Sequence, residues 1–513
     1  MEKLQEVEKK KTLTYLILII LFHLSFWFTI SSNLTIHPDE ADHWVWSQHL
    51  SWGYFEHPPM IAFVIRLFTD IFGDKWYAIE LCSQSMSLLT IIFLFILSKE
   101  LFGNEAALLS VIIAESMPMF FIGSTILTID NIMIVFWIIT TYLFLKGLKE
   151  DKKVFLLLSG VTFGLGLMSK YTMILLPASM FLYLVISPRH RVLLKRKEPY
   201  LSFLIGLIIF SPVIIWNAQN DWLSFKYQFT KGLTGGEKGG QFFFFIGSQF
   251  VILGPTMFPF FLYSLYKGFR GLGFGVKIFN LQSSIFNLQS SIFNLQSAIL
   301  YLTVLASFPF FFFAFASFRS KYTDVSWSDV ALIVGIILMS KVLTNIYRGM
   351  DIRRKIIISS ALFIPGFLLS GFLAVHSVKP FPFIPKNVDK SLEMFGWDEI
   401  GAKAEEAFNK YLPDEKRRYI ISKEYQMAGS LSFYTPSHPI PYSFNKSMRN
   451  IWLRVEDIGK GAALMVCAEN DGNECVEKAG KLFKDIKEVE RMDVKRRGEV
   501  VKSVKMYVCR EIK

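Results

Sequence analysis

Eleven apolar runs, each close to the length of a membrane crossing, decide what this chain can fold into. An apolar helix of roughly 20 residues spans the hydrocarbon core of a bilayer. Such runs lie near residues 12–31, 79–98, 106–125, 130–147, 154–169, 171–187, 200–217, 242–265, 298–317, 328–346 and 356–375. They are continuous rather than alternating, which excludes a transmembrane β-barrel. Charged residues make up 19% of the chain, against roughly 25% in soluble domains, so the runs are not the core of a large soluble protein. The expectation is a mainly α, polytopic membrane protein with about 11 transmembrane helices.

The net charge of +12 does not mark a nucleic-acid partner, because the basic residues sit in short loops between apolar runs. With the N-terminus inside, the cytoplasmic loops carry Lys9, Lys10 and Lys11, then Lys149, Lys152 and Lys153, then Arg189, Arg191, Lys195 and Arg196, and finally Arg353, Arg354 and Lys355. The opposite loops are sparse in Lys and Arg, as the positive-inside rule requires. An odd number of spans then places the loop at 31–78, and everything after residue 376, outside the cytoplasm. No small-residue cleavage site follows the first run, so it reads as an anchor rather than a cleaved signal. The expected location is the cytoplasmic (inner) membrane.

Residues 1–375 therefore read as a transmembrane domain. A heptapeptide, IFNLQSS, repeats in tandem over 278–298. Its copies lack charges at the flanking heptad positions and read as an inert cytoplasmic insertion, or a short surface helix. Pro380, Pro382 and Pro385 mark a linker, after which short apolar runs at 419–422, 463–467 and 505–509 alternate with helical patterns. Residues 376–513 read as a small extracytoplasmic α/β domain. Cys467 and Cys475 bracket a polar turn. Either they pair in an oxidising compartment, with Cys509 as a competing partner, or all three are free thiols.

Chemistry concentrates at residues 37–59, HPDEADHWVWSQHLSWGYFEHPP. Asp39, Glu40, Asp42, Glu56 and four histidines crowd a loop beside tryptophans that favour membrane interfaces. Pro38 suits the start of a short helix, on which Asp39, Asp42 and His43 share a face. A carboxylate in a partly buried site serves as a base; the plainer reading is a helix N-terminus with acids for its dipole. The string DEAD is not a helicase box here, since no GxxxxGK[ST] loop accompanies it, and no nucleotide is implied. Asp130, in LTIDN, is an acid at the outer head of a span, explained either as a functional group or as a helix cap. Lys170, in GLGLMSKYT, is a cation between two short apolar runs. It calls for an anionic partner, either Asp130 or a lipid phosphate.

These segments resemble the GT-C type membrane glycosyltransferases, a superfamily that includes the protein O-mannosyltransferases and the lipid A aminoarabinose transferases. The likeness is carried by DEADHWVWS at 39–47, GYFEHPPMIAFVIR at 53–66, FGD at 72–74, LTIDN at 127–131, GLGLMSKYT at 164–172 and SPVIIWNAQNDWLSF at 211–225. It continues more weakly in FGWDEIG at 395–401 and YQMAGSLSFYTPSHP at 425–439. The resemblance implies GT-C architecture and an inverting transfer from a polyprenyl-phosphate sugar. Asp39, with Glu40, corresponds to the first-loop acid pair that activates or positions the acceptor, and Asp130 to the second family acid. His57 stands where the aminoarabinose enzymes have a lysine near the donor phosphate; the expectation from the residues is that His57 and Lys170, with Lys231 as a further candidate, stabilise the departing phosphate. Glu56 matches a proposed ligand of a divalent metal. The histidine that completes that metal pair is missing from SFKYQFTKG, so Lys226, Gln228 or Lys231 stands in for it, or no metal binds.

The expected partners are the lipid-linked donor, the bilayer, and an envelope glycolipid, polysaccharide or protein acceptor, which the outer domain helps to choose. Two other classes compete. One is a non-enzymatic transporter of a lipid-linked sugar or other solute, which calls for inverted repeats that the sequence lacks. The other is a degenerate family member whose outer domain only binds or scaffolds.

Overall fold

The computed structural model describes residues 2–233, 241–271, 294–320, 322–386, 388–414, 417–444, 458, 462–496 and 498–513. Its helices begin with α1 (Glu2–Ser31), α2 (Pro38–Gln48), α3 (Met60–Phe72), α4 (Trp76–Phe102), α5 (Asn104–Glu115) and α6 (Pro118–Phe121). There follow α7 (Ile129–Glu150), α8 (Lys153–Leu167), α9 (Leu175–Ile186), α10 (Glu198–Gln219), α11 (Leu223–Leu233), α12 (Phe242–Ile252) and α13 (Met257–Gly271). The chain continues through α14 (Leu295–Ser317), α15 (Asp329–Tyr347), α16 (Ile352–Val378), α17 (Trp397–Tyr411), α18 (Tyr425–Tyr434) and α19 (Gly472–Gly480). Contacts group the residues into two units. The first holds 1–27, 83–125 and 129–373; the second holds 28–82, 126–128 and 374–513.

Seven helices among the described residues are long and apolar enough to cross a membrane, and nine if two bent pairs each count as one span. The 106–125 run is not a straight helix. It bends by 80° between α5 and α6, where Pro118 both lacks an N–H and disfavours helix at the residue before it. The 242–265 run bends by 104° between α12 and α13, at Gly254 (φ +97°) and Pro255. The segments around Ser169–Lys170 are short, as their sequence suggests, with α8 and α9 parted by a 3-10 turn at Tyr171–Ile174. Eleven complete crossings are therefore not established. The first two repeat copies lie outside the described residues, and the third runs into the start of α14.

Within the first unit, α8 and α10 meet through glycines. A Cβ at Gly164 would lie 2.8 Å from the carbonyl oxygen of Gly206, and one at Gly160 would collide with the carbonyl of Ser202. This is the close backbone approach that small residues spaced by four allow between membrane helices. Gly160→Leu is expected to force the pair apart, with a loss of about 3 kcal/mol typical of overpacking, read as a lower melting temperature in detergent. On the same unit, buried His23 of α1 shares its Nδ1 with Glu115 at 3.0 Å and its Nε2 with Gln84 at 3.1 Å. The polar groups are thereby satisfied where no water reaches.

The second unit contains a five-stranded sheet in the order β2-β1-β3-β5-β4, from β1 (Arg418–Ser422), β2 (Ile440–Ser443), β3 (Ala462–Ala468), β4 (Phe483–Arg496) and β5 (Glu499–Ile512). The pairs β1–β2 and β1–β3 are parallel, and β5 pairs antiparallel with β3 and β4. Strand side chains alternate between faces. Ile420, Leu464 and Val466 pack with Trp397, Ile400 and Phe408 of α17 and Leu431 of α18, while Tyr419, Ile421 and Met465 pack with Cys475 and Ala479 of α19. Cys467 and Cys475 form a disulfide across the β3–α19 turn, and Cys509 is a buried free thiol.

Candidate functional site

The helix α2 starts as its sequence dictates. Pro38 occupies the first turn, and His37 and Glu40 close a reciprocal capping box. The His37 ring accepts from the Asp39 N–H at 3.2 Å, and Glu40 Oε2 accepts from the His37 N–H at 2.6 Å. The adjacent acids thereby take opposite fates. Asp39 keeps a side chain 47% exposed. Glu40 is 1% exposed, and its other oxygen accepts from the Leu127 N–H at 2.5 Å. Burial pushes the Glu40 carboxyl well above the usual carboxylate range, and the charge of Glu80 adds to the effect. Glu40 thus fastens the head of α2 and the 126–128 segment, while Asp39 faces outward.

The C-terminal domain reaches the same helix. Asp39 Oδ1 accepts from Gln426 Nε2 at 3.3 Å and from the Tyr425 hydroxyl at 3.5 Å. His37 Nε2 lies 3.5 Å from Glu393; that imidazole, with Lys390, holds the Glu393 carboxyl down to about 2. The helices α2 and α18 press together at Gly429, where a Cβ would sit 3.1 Å from the Asp42 nitrogen. After α2 the chain turns on Tyr54, which stacks on Trp46 at 4.5 Å and donates to the Trp46 carbonyl at 3.0 Å. Glu56 and His57 follow, half-buried, with the His57 carbonyl accepting from the Tyr54 N–H at 3.1 Å.

In the first unit the second group of candidates assembles. Lys170 donates to both oxygens of Asp130, at 2.7 and 2.9 Å, with the two side chains 13% and 12% exposed. The Ser326 hydroxyl donates to Asp130 Oδ2 at 3.2 Å. Asp324 caps the turn that bears Ser326, and Asp329 at the head of α15 buries an oxygen that receives no hydrogen bond. Lys170 stands at the wall of a cavity of about 580 Å³ lined by Tyr171, Leu175, Phe210, Gln228, Phe313 and Trp327 among others. A second apolar cavity of about 380 Å³ shares Ile174 with it and continues along α9 past Pro177, Phe181 and Leu184.

Lys231 lies outside that lining. It is on the same helix as Gln228 but holds its ammonium 5.0 Å from the centroid of the Tyr322 ring. Among the described residues no three His, Cys, Asp or Glu side chains are grouped to hold a metal ion. No step is routed through a metal at Glu56. Ser326, Asp324 and Asp329 are not among the site residues expected from the sequence, although two acids heading an apolar run carry the same signal as Asp130. Nor are Tyr425 and Gln426, which give no charge signal.

Residues 56–216 match the family of dolichyl-phosphate-mannose-protein mannosyltransferases. The lipid A galacturonosyltransferase RgtD of Rhizobium johnstonii is 26% identical over 247 residues, which cover 45% of this chain and 50% of that protein. The chain thus spans half the length of that relative. ArnT from Cupriavidus metallidurans, solved bound to undecaprenyl phosphate, superposes with a TM-score of 0.63 at 14% identity, over 96% of this chain and 98% of that one. The chain shares the fold of ArnT. A second solved structure, the oligosaccharyltransferase AglB from Archaeoglobus fulgidus in complex with an inhibitory peptide and a dolichol-phosphate, matches with a TM-score of 0.54 at 11% identity, covering 92% and 71% of the two chains. The matched family and RgtD are glycosyltransferases, and this chain is related to them, with several helices long and apolar enough to cross a membrane.

Proposed function

We propose that this GT-C chain moves a sugar from a polyprenyl-phosphate donor to an acceptor on the outer face of the cytoplasmic membrane. The observation that carries the reading is the Lys170 ammonium, fixed by Asp130 at the wall of an apolar cavity. A lipid phosphate needs that pairing of a localised cation with an apolar wall. Two of the three ammonium protons go to Asp130, and the third serves a phosphate oxygen. The apolar stripe along α9 suits the prenyl chain. ArnT, which shares the fold, has been solved with undecaprenyl phosphate, and the Cys467–Cys475 disulfide suits an oxidising compartment.

In the reaction the acceptor oxygen forms a bond to the anomeric carbon as the bond to the phosphate oxygen breaks, with inversion. Asp39 takes the acceptor proton. The departing phosphate keeps the electron pair, and the Lys170 ammonium offsets its charge. Glu40 acts by holding α2 rather than by touching the substrate.

A binding measurement tests the donor assignment without turnover. Undecaprenyl phosphate is expected to raise the melting temperature of the purified protein, because a ligand bound to the folded state alone stabilises it. Undecaprenol, which lacks the phosphate, is expected to do so far less. Equal shifts with both lipids, or none with either, would remove the phosphate from the reading.

A further inference from the structure

We infer that Gln426 of the C-terminal domain is a positioning residue for Asp39, so that this domain completes the acid site rather than only selecting an acceptor. The inference rests on the reading of Asp39 as the acceptor base. Asp39 is half-exposed, and a half-exposed carboxylate on the first turn of a helix otherwise rotates among several orientations. Two groups of α18 face one of its oxygens, Gln426 Nε2 at 3.3 Å and the Tyr425 hydroxyl at 3.5 Å. Both distances are long, as catalytic hydrogen bonds are before substrate arrives. The other oxygen, Oδ2, lies 3.7 Å from His37 Nδ1. One oxygen is thereby held and the other is left to take a proton.

The donor itself is anchored. Gln426 lies in the first turn of α18, whose N-terminal end carries a partial positive charge that favours a carboxylate. The helix is clamped on α2 and the residues leading into it at three further points. Gly429 meets the Asp42 backbone, Phe433 stacks edge-on against Trp44 at 5.1 Å, and the Tyr434 hydroxyl accepts from the Ile36 N–H at 2.8 Å. Beneath it, Leu431 is buried in the sheet core. A neutral amide also suits the task chemically. It donates a hydrogen bond without neutralising the carboxylate, whereas a lysine there would weaken it as a base.

The test compares Gln426→Met, which keeps the size and loses the donor, with Gln426→Glu, which keeps the shape and opposes a second carboxylate to Asp39. Transfer kinetics and thermal melting are measured for each, alone and in the Asp39→Asn background. Gln426→Met is expected to lower kcat about tenfold with the donor KM unchanged, and Gln426→Glu about a hundredfold, both with wild-type melting. In the Asp39→Asn background neither change is expected to lower the residual rate further, whereas a merely structural role would compound the two losses. Wild-type kcat in both single variants, while Asp39→Asn is inactive, would overturn the inference and leave the functional reading intact. The same would follow from equal fold-losses with and without Asp39. Full transfer by Asp39→Asn would instead remove Asp39 as base, and the inference with it.

Discussion

Replacing Asp39 with Asn is expected to lower sugar transfer by about a thousandfold while leaving the protein folded. A positioned general base contributes roughly 10²–10⁴ in rate, and the amide keeps the shape of the side chain without its basicity. The fold does not depend on that carboxylate, which is half-exposed and whose backbone N–H, not its side chain, closes the cap of α2. Glu40→Gln gives the opposite pattern. Both Glu40 oxygens accept from backbone N–H groups in a buried site, so an amide turns one of its donors against an N–H. That leaves a buried group unsatisfied at about 1–3 kcal/mol. Turnover and melting measured on the two neighbours therefore separate catalysis from structure. Loss of turnover with normal melting at position 40, and the reverse at 39, would exchange their assignments.

Lys170→Met is expected to cost transfer about a hundredfold or more, since one well-placed donor to a developing anion is worth roughly 10²–10³. It also strands Asp130, 12% exposed, without its cation. Breaking one side of a buried pair costs about 3 kcal/mol, whereas removing both partners costs far less. The double variant Asp130→Asn with Lys170→Met should accordingly recover much of the lost thermal stability and none of the lost transfer. Recovery of transfer alongside stability would mean that the pair only supports the fold and that the donor phosphate is bound elsewhere.

Much of this architecture can be read from residues because membrane crossing and sheet burial impose strong patterns. Long apolar runs follow from where water is excluded, and the alternating strands of the C-terminal sheet from burial on its two faces. The bends at Pro118 and Pro255 are harder to see, because a hydropathy window sums apolarity and a chain that bends sharply keeps the same sum. The proline and glycine at the break carry the information instead. The pairing of Lys170 with Asp130 was one of two partners its chemistry allowed, since an isolated cation at that depth demands an anion. Which of two adjacent acids turns inward was not legible, because the capping geometry of α2, set by a histidine, decides between Asp39 and Glu40. Gln426 was hidden for a different reason. It meets Asp39 across a separation of 387 residues, and a neutral glutamine looks the same in sequence whether it touches water or a catalytic group.

A sugar that leaves a polyprenyl phosphate at the Lys170 site must release the free lipid phosphate as product. Purified protein in lipid is incubated with a panel of undecaprenyl-phosphate sugars and total envelope acceptor. Free undecaprenyl phosphate is then followed by mass spectrometry for the wild type, Asp39→Asn and Lys170→Met. Acceptor-dependent release with one sugar by the wild type, and its loss in both variants, is the predicted result. No release with any sugar, and identical behaviour of all three proteins, would contradict the account and favour a chain that carries or binds lipid-linked sugars without transferring them.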